Sequence, residues 1–205
     1  LEIAKLCLEK KCNFATTSYI SPEIRELDEE VKKLGLVFLN EIGLDPGIDH
    51  FFSHLLVQDL KNKKLDNISV CYQSYCGGFP AIPNNFRYKF SWAPIGVIKA
   101  LNNDAKFILN SETKIVTPYK NIENFSVNNE TYEAYPNRDS TPYIQEYQFD
   151  PKWKINEFVR GTLRLNGWKN AWANIFAMLN NKSPELNKQI DILGEELWKK
   201  HPYLQ

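Results

Sequence analysis

No G-x-G-x-x-G fingerprint occurs among the 205 residues. A pyrophosphate cradle of the dinucleotide-binding type is therefore missing from this stretch of chain. No apolar run approaches the roughly 18 residues of a membrane span, and no signal peptide is expected ahead of the cysteines. Neither sign of charge dominates: Lys+Arg and Asp+Glu are 25 each. That balance removes any broad electrostatic reason to expect nucleic acid or an anionic membrane. Cysteine is sparse, at Cys7, Cys12, Cys71 and Cys76. Both pairs have four residues between them, which is not the usual zinc-ribbon spacing. Free thiols in a reducing compartment, and a cytoplasmic location, are the expectation. What is abundant is apolar material, 43% hydrophobic and 13% aromatic, enough for a packed core in one domain or one and a half. The chain starts at Leu1 rather than Met and is expected to be a fragment or a trimmed piece.

Two styles of patterning divide the sequence. Residues 1–11 fit the end of a helix. Phe14 to Tyr19 and Leu36 to Asn40 read as short buried strands. Between them, Ser21-Pro22-Glu23 supplies an N-cap hydroxyl, a proline at the first helical position and an acid in the first turn. That helix should run to Lys33 or Leu34, with Gly35 closing it. Strand, helix, strand in about 28 residues is a βαβ unit with parallel strands. A further helix is expected from Asp49 to Leu60. Beyond Asn67 the pattern alternates. Strands are expected at 67–75, with Ile68, Val70 and Tyr72 on one face, and at 87–92, 105–109, 114–117, 131–135 and 157–165. Two helices should close the chain, at 168–179 and 184–200. The fold class is thus α/β plus α+β: the tail of a doubly wound, Rossmann-type sheet over residues 1–45, then a mainly antiparallel sheet covered by helices over 46–205.

Three segments carry the chemistry. In Asn40 to His50, Asp45 sits at a strand-to-helix turn, where ligands of α/β sheets bind. It can hold an ammonium or exchange a proton, or it can simply shape the turn before Pro46-Gly47. His50 and His54 share a helix face, as metal ligands do, but no third ligand is apparent and capping or packing is the simpler role; no metal is expected. In Ser74 to Ala81, Cys76 ends a strand and Gly77-Gly78 permit close approach of a ligand to the backbone. In Tyr135 to Thr141, Arg138 offers a planar fork for a carboxylate or phosphate, or pairs with Asp139 in solvent. Arg160, Thr162 and Arg164 alternate on one strand and share a face, which for charged residues is usually the wet one.

Together these segments resemble the glutamate-forming saccharopine dehydrogenase family. The matching pieces are Thr17-Ser18-Tyr19-Ile20-Ser21-Pro22, Asn40 to His50, Tyr75 to Ala81, Tyr88-Lys89-Phe90-Ser91-Trp92, Tyr135 to Thr141 and Arg160-Gly161-Thr162-Leu163-Arg164, in the family's order. The resemblance implies an oxidoreductase of lysine metabolism. It interconverts saccharopine with glutamate and 2-aminoadipate 6-semialdehyde, using NADP or NAD, and is a cytoplasmic homodimer with no nucleic-acid or membrane partner. It implies that Ser18, Tyr19, Asp45, Gly77, Gly78, Asn137, Arg138, Asp139 and Thr162 bind substrate, with Asp45, Cys76 and Tyr19 as candidate acid/base groups. It implies that Thr17, Ser18, Leu44, Asp45, Pro46, Ser91 and Trp92 lie at the nicotinamide end of the cofactor. Against the family pattern, the loop at 77–85 looks short. Two other readings fit the same fold: a carboxynorspermidine-type reductive condensation enzyme, and a non-catalytic dimerisation or binding module.

Overall fold

The alternation read from the sequence resolves, in a computed structural model, into two compact units, Leu1–Leu65 and Asp66–Gln205. The structure describes residues 1–65 and 67–180, with residues 188 and 192; the helix expected over 184–200 otherwise lies outside the described residues.

The first unit runs α1 (Glu2–Glu9), β1 (Phe14–Ala15), α2 (Pro22–Arg25), α3 (Asp28–Lys33), β2 (Phe38–Leu39) and α4 (Ile48–Asn62). β1 and β2 pair in parallel, Phe14 opposite Phe38. The Ser21 side chain accepts a hydrogen bond from the Ile24 N–H, and Gly35 takes a left-handed φ of 65° after the helical segment. The single helix expected over 22–34 is instead two, parted at Glu26 and Leu27. The strands are two residues each rather than five or six, and they are not buried: Leu39 keeps 50% of its surface and Ala15 is exposed.

The second unit contains β3 (Ser69–Cys76), α5 (Pro94–Asn102), β4 (Ala105–Leu109), β5 (Glu112–Val116), β6 (Glu123–Val127), β7 (Glu130–Pro136), α6 (Tyr143–Glu146), β8 (Lys154–Leu165), α7 (Trp168–Ala171) and α8 (Ala173–Asn180). The sheet is mixed and mainly antiparallel. β8 is its spine. β3 runs parallel along one edge of it from Lys154 to Thr162. The other edge is shared: β4 pairs antiparallel at Glu157 and Phe158, and β7 pairs antiparallel from Gly161 to Leu165. The β4–β5 and β6–β7 hairpins turn on Asn110-Ser111 and Asn128-Asn129, all four at positive φ, the two-residue turn that matches strand twist.

Aromatic rings fill the core on one side of this sheet. Trp168 and Trp172 are fully buried, with Tyr88, Phe90, Tyr135 and Phe176 around them and Val97, Ile98 and Leu101 of α5 packed in. The Trp172 indole N–H is satisfied by the Phe86 carbonyl at 3.1 Å. Residues 87–92 do not form the expected strand. Tyr88 and Phe90 are buried while Lys89 is exposed, so the alternation is present, but no neighbouring strand pairs with it. Arg87 at φ 56° also breaks the extended path. All four cysteines are free thiols. Among the described residues, no helix is long and apolar enough to cross a membrane.

Candidate active site

In the first unit, the carboxyl ends of the parallel strands β1 and β2 lead into two loops. The loop after β2 is closed on itself: the Gly43 N–H donates to the Pro46 carbonyl at 2.9 Å, and the Ile48 N–H donates to the Gly43 carbonyl at 2.9 Å. Only glycine fits at 47, where φ is 146° and a Cβ would stand 2.1 Å from the Gly43 oxygen. Closure pushes Leu44 into solvent, 62% exposed, and leaves Asp45 half-buried. Asp49 caps the loop by accepting the Gly47 N–H at 2.7 Å.

The loop after β1 carries Thr17, Ser18 and Tyr19. Tyr19 Oη donates to Asp45 Oδ1 at 2.9 Å, joining two of the candidate acid/base groups across 26 residues of sequence. The Thr17 side chain lies against Gly43, whose Cβ would meet it at 3.2 Å. Ser18 and Thr17 are exposed. Thr17, Ser18, Tyr19, Leu44, Asp45 and Pro46 therefore form one cluster around this loop pair. His50 is engaged by carboxylates, with Nε2 3.1 Å from Glu41 Oε2 and Nδ1 3.7 Å from Asp49 Oδ2.

In the second unit, strand register assembles the other candidates. Cys76 and Tyr135 are the two register partners of Thr162, so the three lie in one row across β3, β8 and β7. Gly77 is tight against β8, its missing Cβ only 2.4 Å from the Leu163 oxygen. Gly78 is open, its nearest neighbour being Ser91 Oγ at 3.9 Å, which puts Ser91 beside the glycine pair. Trp92 packs on Gly96 at the start of α5 and stays 47% exposed.

Residues 137–140 occupy the junction where β7 gives way to β4 along β8. The Asn137 N–H donates to the Arg160 carbonyl at 2.9 Å, the Lys106 N–H to the Arg138 carbonyl at 2.9 Å, and the Ser140 N–H to the Lys106 carbonyl at 2.7 Å. Buried Ser140 also accepts the Arg160 N–H through its hydroxyl. Arg138 is held at φ 57° and its side chain is exposed. Asp139, also exposed, is tied locally: Oδ1 accepts from the Thr141 N–H and hydroxyl, and Oδ2 from Lys106. Partial burial raises its pKa, but the Thr141 bonds and the Lys106 charge outweigh that and hold it below the usual value.

The expectation that Arg160 and Arg164 face water is corrected by the structure. Each is 6% exposed. Their face of β8 is the one covered by rings: the Arg160 guanidinium lies 4.1 Å from the Tyr143 centroid, and that of Arg164 lies 4.8 Å from Tyr88, 5.4 Å from Trp168 and 5.5 Å from Tyr135. Cation–π contact and a buried apolar stem replace hydration. The hydrogen bond given to Arg164 runs from Nη1 to the Leu163 carbonyl. Its register partner Glu133 instead accepts the N–H groups of Gly167 and Lys169. Burial holds the Tyr88 and Tyr135 hydroxyls above the usual value, and Arg164 offsets only part of that rise. Arg164 was thus the residue underrated by sequence reasoning. Its signals were the alternation with Thr162 and its place in the Arg160–Arg164 segment that resembles the family.

A family model, the saccharopine dehydrogenase C-terminal domain, matches residues 43–205. The rat mitochondrial α-aminoadipic semialdehyde synthase is 39% identical over 178 residues, covering 82% of this chain and 19% of that protein. The NADP(+), L-glutamate-forming saccharopine dehydrogenases of Pyricularia oryzae and Saccharomyces cerevisiae are 38% and 37% identical, covering 81% of this chain and 37% and 38% of theirs. The solved structure of the apo histidine-tagged L-Glu-forming saccharopine dehydrogenase from Saccharomyces cerevisiae superposes with a TM-score of 0.72 at 33% identity, over 89% of this chain and 42% of that one. This chain spans under half the length of each. With a family model over most of its residues and relatives above 35% identity, the chain belongs to the saccharopine dehydrogenase family and carries that family's C-terminal domain.

Proposed function

We propose that this chain is the substrate-binding portion of an enzyme that oxidises saccharopine to glutamate and 2-aminoadipate 6-semialdehyde with NADP, in lysine metabolism. The observation that carries the reading is the Tyr19–Asp45 hydrogen bond at the closed loop, a donor and an acceptor for protons held together at the ends of parallel strands. The names of the relatives supply the substrate and the cofactor.

Residues 1–45 are read as the C-terminal part of a Rossmann-type domain, with α4 continuing the same compact unit to Leu65. Exposed Thr17, Ser18 and Leu44, with Asp45 and Pro46, suit the nicotinamide end of a dinucleotide, since nucleotides bind beyond the carboxyl ends of parallel strands. NADP held there would supply the acceptor for a hydride leaving the substrate carbon next to the secondary amine. Loss of that hydride together with the amine N–H proton leaves an imine. Water adds to the imine carbon, and the carbinolamine collapses to aldehyde and amine as protons move from oxygen to nitrogen. Asp45 with Tyr19 is assigned to that proton traffic. From the second unit, exposed Arg138 is assigned to a substrate carboxylate by bidentate contact. Cys76 and Thr162 are assigned to polar substrate contacts beside it. Asp139 is assigned to shaping the turn that presents Arg138, and open Gly78, beside Ser91, to close approach of the ligand. Gly77, Asn137 and Trp92 complete the set.

The test is saccharopine-dependent NADPH formation by the full-length protein, with both products identified. Activity on a carboxylated polyamine instead, or none at all, would favour the reductive condensation enzyme or the non-catalytic module. The same protein run with NAD, a size measurement for the homodimer, and fractionation for the cytoplasm against the mitochondrion complete the assignment.

A further inference from the structure

Glu41, Asp49 and His50 have no role in the reading above, yet they tie its two loops together. Glu41 follows β2 at φ 58°, a left-handed conformation that a non-glycine residue keeps only where its surroundings enforce it. Its N–H donates to the Ser18 carbonyl at 3.1 Å, and its Oε1 accepts the Ile20 N–H at 2.9 Å. Tyr19 is thus bracketed on both sides by bonds to one residue. The other oxygen, Oε2, lies 3.1 Å from His50 Nε2. The second imidazole nitrogen lies 3.7 Å from Asp49, whose remaining oxygen accepts the Gly47 N–H that closes the Asp45 loop. The three side chains are only 19%, 9% and 16% exposed, so these contacts are poorly screened by water. Among the described residues, no group of three or more His, Cys, Asp and Glu side chains could hold a metal ion.

We infer that Glu41, His50 and Asp49 form a clasp that fixes the Tyr19 loop against the Asp45 loop, with His50 as the positioning residue. Glu41 grips the segment on either side of Tyr19. Asp49 grips the end of the loop that holds Asp45. His50 lies between the two carboxylates, 3.1 Å from Glu41 and 3.7 Å from Asp49. The clasp rests on the function proposed above, because only that reading gives Tyr19 and Asp45 work to do.

The experiment uses the full-length protein, with His50→Ala and His50→Gln. In His50→Ala, the Ile20 and Gly47 amides exchange with deuterium at least roughly tenfold faster. Turnover of saccharopine per folded molecule falls roughly tenfold to a hundredfold, as expected for misplaced catalytic groups. In His50→Gln, which keeps a donor, both effects are smaller, and this variant decides alone if the alanine protein does not fold. Unchanged exchange at Ile20, thirty residues from the change in sequence, would overturn the clasp. So would wild-type turnover per folded molecule in both variants. Should the unmodified protein not oxidise saccharopine, the functional reading fails, while the exchange measurement still decides the clasp.

Discussion

Gly77 and Gly78 are adjacent, and sequence alone gives them one role, but the structure assigns them opposite costs. An alanine Cβ at 77 would lie 2.4 Å from the Leu163 oxygen and 3.0 Å from both its carbonyl carbon and its Cβ. Leu163 cannot retreat. It sits near the C-terminal end of β8 but is paired there with Ala134 of β7 on the far side. Overpacking against a fixed backbone costs about 1–3 kcal/mol. At about 4 °C per kcal/mol for a unit of this size, Gly77→Ala should lower the melting temperature by roughly 4–12 °C. At 78 the nearest atom is Ser91 Oγ at 3.9 Å, and no positive φ is involved. Gly78→Ala should therefore stay within about 0.5 kcal/mol of the parent in stability, while its methyl group, at the proposed close approach of the ligand, is expected to raise the KM for saccharopine. Thermal unfolding followed by circular dichroism, beside steady-state kinetics, measures both. Equal losses of melting temperature, or a larger loss for Gly78→Ala, would refute the reasoning.

Three further outcomes follow from the same geometry. Arg164→Ala should lose about 2–4 kcal/mol by emptying an aromatic cage. Arg164→Met fills the space without a buried charge and should hold or raise stability; urea unfolding separates the two. Burial, followed by the Glu157 and Glu123 charges, pushes the Tyr75 hydroxyl up to about 12. The folded state then keeps a proton that the unfolded chain releases near pH 10, so stability is intact below about pH 10 and falls as pH rises toward 12. Tyr75→Phe should flatten that decline in a pH series of melting temperatures. For Asp139 the sign is reversed. Its lowered pKa adds stability above about pH 4 that is lost as pH falls further, and Asp139→Asn should remove that acid limb, by an amount kept small by solvent screening.

Local rules made much of the fold readable. The Ser21-Pro22 start, the β3 face of Val70 and Tyr72, and strand β4 all followed from capping and alternation. Where the reading failed, burial had imitated pairing, or pairing had occurred without burial. Residues 87–92 alternate because their rings pack on Trp172, and packing needs only an extended chain. β6 was overlooked because Glu-Asn-Phe-Ser-Val has few strand formers; it is held by its hairpin to β7 instead. α5 was overlooked because Gly96 and β-branched residues argue against a helix, yet Pro94, Val97, Ile98 and Leu101 are spaced to bury one side of it. In the site, residue types and order were visible in the sequence, and the Tyr19–Asp45 contact is new from the structure. Arg164 was misjudged because alternation tells which residues share a face but not whether that face is wet.

Asp45 with Tyr19 is proposed to handle protons, and Arg138 a carboxylate, in saccharopine oxidation. The most direct measurement is the rate of NADPH formation from saccharopine by full-length protein carrying Arg138→Ala, and separately Asp45→Asn, against the unmodified enzyme. The account predicts robust activity in the parent, a KM for saccharopine raised at least roughly a hundredfold by Arg138→Ala, and a fall in kcat of roughly a hundredfold or more with Asp45→Asn. Parental kinetics in both variants, or a parent enzyme indifferent to saccharopine, would contradict it.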